Sequence, residues 1–325
     1  MGEYFILKIK FDKQNSNNLN EKIMKKLLSI LIVLHLSFII LQAQSNLFVP
    51  PLPEMSYAGV VDKSKFDGDR WSYMEAGSKN APVIICLHGL GGSSVDWRYQ
   101  LNDLSDTYHV IAWNAPGYML SDGLKTETPN GKDFADALAD FLNALKLDKV
   151  YLVGNSFGSL VAQSFAYYYP ERVNKLVLLG ALASRKWPQA LKMSQINFRK
   201  SQVADGGYAF ANKRVEALLG PNPSPELVEV ARKGMRGVHP KYFLNTCNGL
   251  MEAEDCLPAI IATKVTMPVL IIDGAEDKIT PIAMHADVLK KELKNVRLEV
   301  LQGVGHLPHI ENYKATNQLI RDFLK

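Results

Sequence analysis

Short apolar runs alternate with amphipathic segments along most of the chain after residue 70. The runs are rich in Val, Ile and Leu and are closed by turn residues, which is typical of strands buried in a sheet. We predict strands at RWSYMEAG (70–77), PVIICLHG (82–89), HVIAW (109–113), KVYLV (149–153), KLVLLG (175–180), PVLIIDG (268–274) and VRLEVLQG (296–303). Helical spacing predicts helices over 131–147, from 160 to Pro170, near 283–293 and over 315–324. This alternation indicates an α/β protein with a mostly parallel, doubly wound sheet.

The alternation stops between residues 184 and 258. Only helical patterns occur there, over 188–202, 208–220, 225–237 and 241–254. A helical insert of about 75 residues inside an α/β alternation predicts a cap over 184–258. The core is then formed by 45–183 together with 259–325, and it begins with the proline-rich stretch FVPPLP (48–53), which we interpret as an extended lead-in.

Residues 1–44 show a different pattern, which we interpret as an N-terminal extension and a signal peptide. The basic stretch Met24-Lys25-Lys26 precedes 15 apolar residues (27–41) and the small residue Ala43. The apolar run is shorter than the ~20 residues that usually span a bilayer. We expect export to the periplasm or the exterior, with cleavage after Ala43 or Gln44. An uncleaved membrane anchor is the alternative, and both Met1 and Met24 are candidate starts.

Composition, net charge and cysteine content indicate an ordinary globular protein. The 325 residues are 47% hydrophobic and 22% charged, as in an ordinary globular protein. The net charge is +4, and no basic stripe indicates nucleic acid as a partner. Cys86 lies in an apolar run and is predicted to be buried and inert. Cys247 and Cys256 either pair, as exported proteins permit, or remain free thiols.

The stretch GNSFGS (154–159) places Ser156 at a sharp turn between a predicted strand and a predicted helix. Gly154 and Gly158 flank it in the G-x-S-x-G pattern of a nucleophile elbow, which requires this strand and this helix. An ordinary Gly-Ser turn is the alternative. A serine hydroxyl is a weak nucleophile, so the chain must also supply a base and a group that orients the base.

Residues near the carboxyl end supply both groups. His306 in VGHLPHI (304–310) follows the last predicted strand and is the candidate base. Asp277 in DGAEDKITP (273–281) is the candidate acid, which would fix the His306 tautomer and stabilise its imidazolium. Asp273 and Glu276 are the alternatives for this role. His306 and His309 are also spaced like a metal pair, but no further ligand cluster accompanies them, so we predict no metal site.

Two backbone N–H groups are needed to stabilise the oxyanion. We predict those of Phe157, at the start of a helix, and of Leu90, in the glycine-rich segment HGLGGSS (88–94). That segment lacks the G-K-[ST] ending of a phosphate-binding loop. The residues predicted to contact substrate are His88 and Gly89 in the segment and Trp187, Phe198, Phe210 and Phe243 in the cap.

Taken together, these segments resemble the α/β-hydrolase superfamily. The oxyanion segment, Ser156, Asp277 and His306 follow one another in the chain order of that superfamily. The resemblance covers nearly all of the chain from about residue 70, except the cap, and is nearest to the small capped enol-lactonases, carboxylesterases and carbon–carbon bond hydrolases. It implies an eight-stranded, mostly parallel sheet with an inserted helical cap. It also implies a nucleophile at Ser156, an acid at Asp277 and a base at His306.

The expected activity is hydrolysis of a carboxylic ester or lactone through an acyl-enzyme on Ser156. The expected substrate is a small apolar molecule, and neither a metal nor an organic cofactor is expected. Haloalkane dehalogenases and epoxide hydrolases of similar layout carry Asp where this chain has Ser156, so both are disfavoured. Carbon–carbon hydrolases usually show Gly-Pro-Gly in the oxyanion loop, where this chain has GLGGSS (89–94). The alternatives are a carbon–carbon or carbon–nitrogen hydrolase with the same triad, and a ligand-binding receptor on the same fold.

Overall fold

The computed structural model describes Lys26 and residues 47–325. The chain divides into two units, 1–48 and 49–325, and the sheet and site below belong to the second. The predicted signal peptide, its cleavage site and the alternative of an anchor lie outside the described residues, apart from Lys26, which is helical. Within the described part, no helix combines the length and the apolar character that crossing a bilayer requires.

Eight strands form one sheet in the order β1-β2-β4-β3-β5-β6-β7-β8. Their bounds are β1 (Met55–Gly59), β2 (Arg70–Ala76), β3 (Val83–Leu87), β4 (His109–Trp113), β5 (Val150–Asn155), β6 (Val173–Leu179), β7 (Val269–Gly274) and β8 (Val296–Leu301). Strand β2 is antiparallel to both of its neighbours, and every other neighbouring pair is parallel. The predicted mostly parallel eight-stranded sheet is therefore confirmed. The sequence pattern located seven of the strands and missed β1.

Helices cover both faces of the sheet. Their bounds are α1 (Arg98–Asp103), α2 (Gly131–Ala144), α3 (Phe157–Tyr168), α4 (Gln189–Val203), α5 (Gly206–Leu218), α6 (Pro225–Met235), α7 (Pro240–Glu252), α8 (Pro258–Ile261), α9 (Ala286–Glu292), α10 (Pro308–Glu311) and α11 (Tyr313–Leu324). Ile85 of β3 packs in one apolar layer with α2 and α3, while Ile84 packs in the other with α1 and α11. Both faces of the parallel strands are thus buried, which explains their continuous apolar sequences.

Helices α4 to α7 lie between β6 and β7, where four helices were predicted, and the predicted bounds agree to within two residues. The division of the chain into core and cap remains an interpretation of this insertion. Tyr242 of α7 packs closely on a core loop. A Cβ atom added at Gly117 or Gly123 would lie only 2.2 or 2.0 Å from the Tyr242 side chain. Its hydroxyl also donates to Asp67 Oδ2 at 2.8 Å.

The three cysteines are buried and free. Cys86 is enclosed in the sheet, as predicted. Cys247 and Cys256 form no disulfide, which answers the question that the sequence left open. Burial raises the pKa of all three thiols, so little reactive thiolate is present near neutral pH.

Candidate active site

Ser156 occupies a strained turn between β5 and α3. Its φ of 53° and ψ of −116° lie outside the regions that a residue with a side chain normally adopts. The flanking glycines allow the turn to approach its neighbours. A Cβ atom at Gly154 would lie 2.3 Å from the carbonyl oxygen of Gly158, and one at Gly158 would lie 2.0 Å from that of Leu87. The predicted strand–turn–helix context is therefore confirmed, and it presents Ser156 at the carboxyl edge of the sheet.

A hydrogen-bonded Asp–His pair lies at the same edge, beyond β7 and β8. His306 Nδ1 donates to Asp277 Oδ2 at 2.7 Å. The other carboxylate oxygen accepts from the backbone N–H groups of Ile279 and Thr280 at 2.7 and 2.9 Å, and the Thr280 hydroxyl donates to Oδ2 at 2.7 Å. Burial acts to raise the pKa of Asp277, but the bond from His306 and these donors lower it to about 2. An ionised carboxylate keeps the proton of neutral His306 on Nδ1 and leaves Nε2 as an acceptor.

The two alternative carboxylates are engaged elsewhere. Asp273 accepts from the backbone N–H of Ala181 at 2.9 Å, and burial raises its pKa to about 7. Glu276 accepts from the backbone N–H of Gly303 at 3.0 Å. Among the described residues, neither forms a hydrogen bond with His306. The geometry therefore brings Asp277, and not its neighbours, to the histidine.

Ser156 and His306 border the same small cavity. His306 Nε2 is buried and has no hydrogen-bond partner within the described part of the chain. No hydrogen bond joins it to Ser156 in this state, although the two side chains face a common space. In uncomplexed enzymes such catalytic contacts often tighten only when substrate binds.

The backbone N–H groups of Leu90 and Phe157 point to no acceptor among residues 47–325. Phe157 is the first residue of α3, and Leu90 follows β3, so both lie at the edge of the sheet that carries Ser156. Both residues also line the larger cavity beside the serine. Two unused donors next to a nucleophile are the arrangement that an oxyanion hole requires.

His88, which was predicted to contact substrate, lies in the core and borders neither cavity beside Ser156. It is fully buried, accepts from the backbone N–H of Ala115 at 3.1 Å through Nε2, and bonds to the Gly89 carbonyl at 2.8 Å through Nδ1. Burial lowers its pKa to about 4, so the ring is neutral and braces the loop. The ring of His88 points into the core, whereas Gly89 borders the small cavity, and their contact with substrate stays a prediction.

Glu311 fastens the loop that carries His306, and the sequence analysis missed it. Its carboxylate accepts from the backbone N–H groups of Gly305 and Leu307 at 3.0 Å each, on both sides of the histidine. It also accepts from Gly220, just after α5, at 2.6 Å. The His306 N–H itself donates to the Leu218 carbonyl at 2.7 Å. The histidine loop is therefore held to the end of α5. The sequence feature that could have indicated this role is an acidic residue five positions after His306.

The larger cavity has a volume of about 300 Å³ and is bordered by Ser156 and Phe157. Of the cap residues predicted to contact substrate, Trp187 lines this cavity and the three phenylalanines do not. Phe198 is 51% exposed on the outer side of α4. Phe210 and Phe243 are fully buried with ring centroids 4.9 Å apart, and they pack on the Gly91 backbone. The structure does not bring these three side chains to the cavity lining, because a helical sequence pattern does not reveal which face of a helix meets the site.

Three arginines line the larger cavity, and none was predicted: Arg185, Arg199 and Arg214. Its lining includes no aspartate or glutamate from residues 47–325. His285 adds no charge there, because burial, followed by the nearby Arg185, lowers its pKa. The cavity beside Ser156 is therefore cationic as well as apolar. The described residues contain no group of three His, Cys, Asp or Glu side chains placed to hold a metal ion.

Comparison with known proteins finds similar chains among hydrolases and lactonases of known sequence and among solved esterases. The chain is 25% identical over 280 residues to epoxide hydrolase 1 of Caenorhabditis elegans, covering 78% of this chain and 68% of that protein. It is 26% identical over 262 residues to 3-oxoadipate enol-lactonase 2 of Acinetobacter baylyi, covering 78% and 92%. A solved esterase from Thermogutta terrifontis superposes with a TM-score of 0.71 at 24% identity, covering 83% and 98%. The model of the alpha/beta hydrolase fold family matches residues 82–313, well over half of the sequence, and the chain therefore belongs to that family.

Proposed function

We propose that this hydrolase cleaves a carboxylic ester or lactone through an acyl-enzyme on Ser156. In this proposal His306 is the general base, Asp277 orients it, and the N–H groups of Leu90 and Phe157 stabilise the oxyanion. The observation that carries the proposal is the hydrogen bonding of the His306 ring. Its Nδ1 donates to an ionised carboxylate at 2.7 Å, while its Nε2 borders the cavity of Ser156 and has no hydrogen-bond partner among the described residues.

In the first half of the reaction, His306 Nε2 takes the proton from Ser156 Oγ as Oγ attacks the substrate carbonyl. The carbonyl oxygen becomes an oxyanion and accepts hydrogen bonds from the two backbone donors. The tetrahedral intermediate then collapses, the carbon–oxygen bond of the ester breaks, and the imidazolium gives its proton to the leaving alkoxide. For a lactone, the departing alcohol stays attached to the acyl group.

In the second half, a water molecule takes the place of the alcohol. His306 removes one of its protons, the hydroxide attacks the acyl carbonyl, and the same donors hold the new oxyanion. Collapse returns the proton to Ser156 Oγ and releases the carboxylic acid. Asp277 stays ionised throughout, since its role is to stabilise the imidazolium and to keep the ring in place.

The choice of nucleophile separates this proposal from epoxide hydrolysis. The epoxide hydrolase among the relatives is a similar chain, but epoxide hydrolases of this layout carry aspartate where this chain has Ser156. A serine at the elbow forms an ester with an acyl group, which suits the chemistry named for the enol-lactonase and the esterase.

Steady-state hydrolysis of p-nitrophenyl butyrate tests the proposal. Ser156→Ala should lower kcat by several orders of magnitude while the protein stays folded, as removal of a triad member does. Ser164→Ala is the matched control, because Ser164 is a buried serine like Ser156 but lies within α3 and bonds to Cys256. Activity of Ser156→Ala within about tenfold of wild type would remove the serine from the mechanism.

We also propose export, on the sequence pattern of residues 24–44 alone. The mature protein should begin near Gln44 or Ser45, which N-terminal sequencing of the protein from its native cells would decide. A membrane-bound chain that still carries residues 27–41 would instead support an anchor.

A further inference from the structure

Arg214 is a buried cation that has no counter-ion in the described part of the chain. It lies on α5, is 6% exposed, and borders both the large cavity and the small one. Among the described residues its guanidinium forms neither a hydrogen bond nor an ion pair, and its Nε is buried without a partner. The guanidinium carbon lies 5.9 Å from the centroid of the Phe210 ring. Burying an unpaired charge is strongly unfavourable, so such a group indicates a missing anion.

A second arginine faces the same cavity from the neighbouring helix. Arg199 of α4 donates to the side chain of Gln202 at 2.8 Å and has no acidic partner in the described part of the chain. Burial, and next the charge of Arg199, lower the pKa of Arg214 to about 10, so Arg214 remains cationic at neutral pH. Two like charges held together without an anion reinforce the positive potential beside Ser156.

Asp96 is an acidic residue beside Arg214 in the lining of the small cavity, but it does not serve as the counter-ion. Asp96 borders the small cavity together with Arg214, but its carboxylate accepts from the backbone N–H of Ser93 at 3.1 Å instead. Burial raises the pKa of Asp96 to about 7, so the group is partly protonated at neutral pH. The charge on Arg214 therefore requires an anion that binds in the cavity.

We propose that Arg214 and Arg199 form a carboxylate subsite, and that the substrate is a small ester or lactone that carries a carboxylate besides its scissile bond. This inference deepens the proposed function and rests on it. The planar guanidinium binds a carboxylate through two parallel hydrogen bonds, which fixes orientation as well as charge. A cavity of about 300 Å³ holds only a small substrate, and Leu160, Leu182 and Leu250 contact its apolar part. The substrate is then amphiphilic, and not the purely apolar molecule that the sequence led us to expect.

Matched pairs of esters that differ in one charge test the subsite. The first pair is p-nitrophenyl hydrogen glutarate and its methyl ester, with the charge on the acyl side. The second is p-carboxyphenyl acetate and p-carbamoylphenyl acetate, with the charge on the leaving side. In at least one pair, wild-type kcat/KM should favour the carboxylate by about tenfold or more. Arg214→Met should abolish that preference by slowing the carboxylate member of the pair, and Arg199→Met should reduce the preference.

Arg236→Met is the matched control. Arg236 follows α6, is paired with Glu229 at 2.9 Å and does not line the cavity, so its loss should leave the preference intact. Thermal unfolding separates a ligand role from a structural one. Removing an unpaired buried charge should leave the melting temperature of Arg214→Met equal or higher. A large fall in melting temperature, with both members of each pair slowed equally, would overturn the subsite and make Arg214 structural.

Two further outcomes distinguish failure of the subsite from failure of the proposed function. Equal kcat/KM within both pairs, with turnover still dependent on Ser156, would refute the subsite alone. Full activity of Ser156→Ala would refute the proposed function alone, because calorimetric titration of glutarate into this variant measures the subsite without catalysis. Glutarate binding that disappears in Ser156→Ala/Arg214→Met supports the subsite, and absence of binding in Ser156→Ala contradicts it.

Discussion

Two buried aspartates lie four residues apart at the end of β7, and replacing each by asparagine separates their roles. Asp277 holds His306 Nδ1 at 2.7 Å, whereas Asp273 bonds to a backbone N–H. Asn at position 277 can present an amide donor to the ring and favour the tautomer whose Nε2 carries the proton. That nitrogen then cannot accept the proton of Ser156. We expect kcat to fall by about 10⁴-fold, as in comparable triads, which corresponds to about 5 kcal/mol of transition-state stabilisation.

The stability of the two variants should respond to pH in opposite ways. The pKa of Asp273 is raised from 3.8 to about 7 by burial, so this group destabilises the protein progressively as pH rises from about 4 to about 7. A rise of roughly three units corresponds to roughly 4 kcal/mol. The pKa of Asp277 is lowered to about 2, so its contribution is present above about 4 and is lost as pH falls through about 2.

Urea unfolding of wild type and Asp273→Asn across this range measures the first effect. The variant should gain stability relative to wild type between about pH 4 and pH 7, and its ester hydrolysis should remain near the wild-type rate. A mild effect of Asp277→Asn together with a severe effect of Asp273→Asn on kcat would show that the orienting acid is assigned to the wrong residue. A mild effect of both would argue against an Asp–His mechanism altogether.

Other predictions concern the residues that support the site. Glu311→Ala removes the fastening of the loop on both sides of His306, so kcat should fall about 10²-fold with KM little changed, and Glu311→Gln should restore part of it. Steady-state kinetics together with thermal unfolding check this, and equal losses in both variants with a lowered melting temperature would mean a purely structural role. Phe210→Ala should cost about 3–5 kcal/mol of stability, because its ring is fully buried, whereas the exposed Phe198→Ala should cost under about 0.5 kcal/mol. Neither substitution should alter the preference for acyl chain length. A changed preference across a series of p-nitrophenyl esters would show that the substituted side chain contacts the substrate.

The elements of the core were predictable because their signals are local. Buried parallel strands such as β7 have continuous apolar sequences, and the elbow at Ser156 is framed by its own strand and helix. The missed strand β1 is a half-exposed edge strand that follows a proline-rich stretch, so its sequence has no apolar run. Its pairing with β2 is a tertiary contact that no local pattern announces.

The residues that line the substrate cavity were less predictable, because tertiary contacts between helices bring them together. Arg199 and Arg214 lie on different helices, and only the packing of α4 against α5 brings them to one cavity. Phe210 and Phe243 are apolar residues at helical spacing, and whether they face a pocket or pack on Gly91 depends on how each helix is rotated. The sequence pattern identifies the apolar face of a helix but not what that face meets.

Trapping of the acyl-enzyme tests the central claim most directly. Wild-type protein mixed with p-nitrophenyl butyrate and quenched within the first turnover should release p-nitrophenol in a burst of one equivalent per active site. Peptide mapping by mass spectrometry should then place one butyryl group on Ser156, within the turn between β5 and α3. Turnover without a burst and without a butyryl group on Ser156, or a butyryl group on another residue that is required for turnover, would contradict the account.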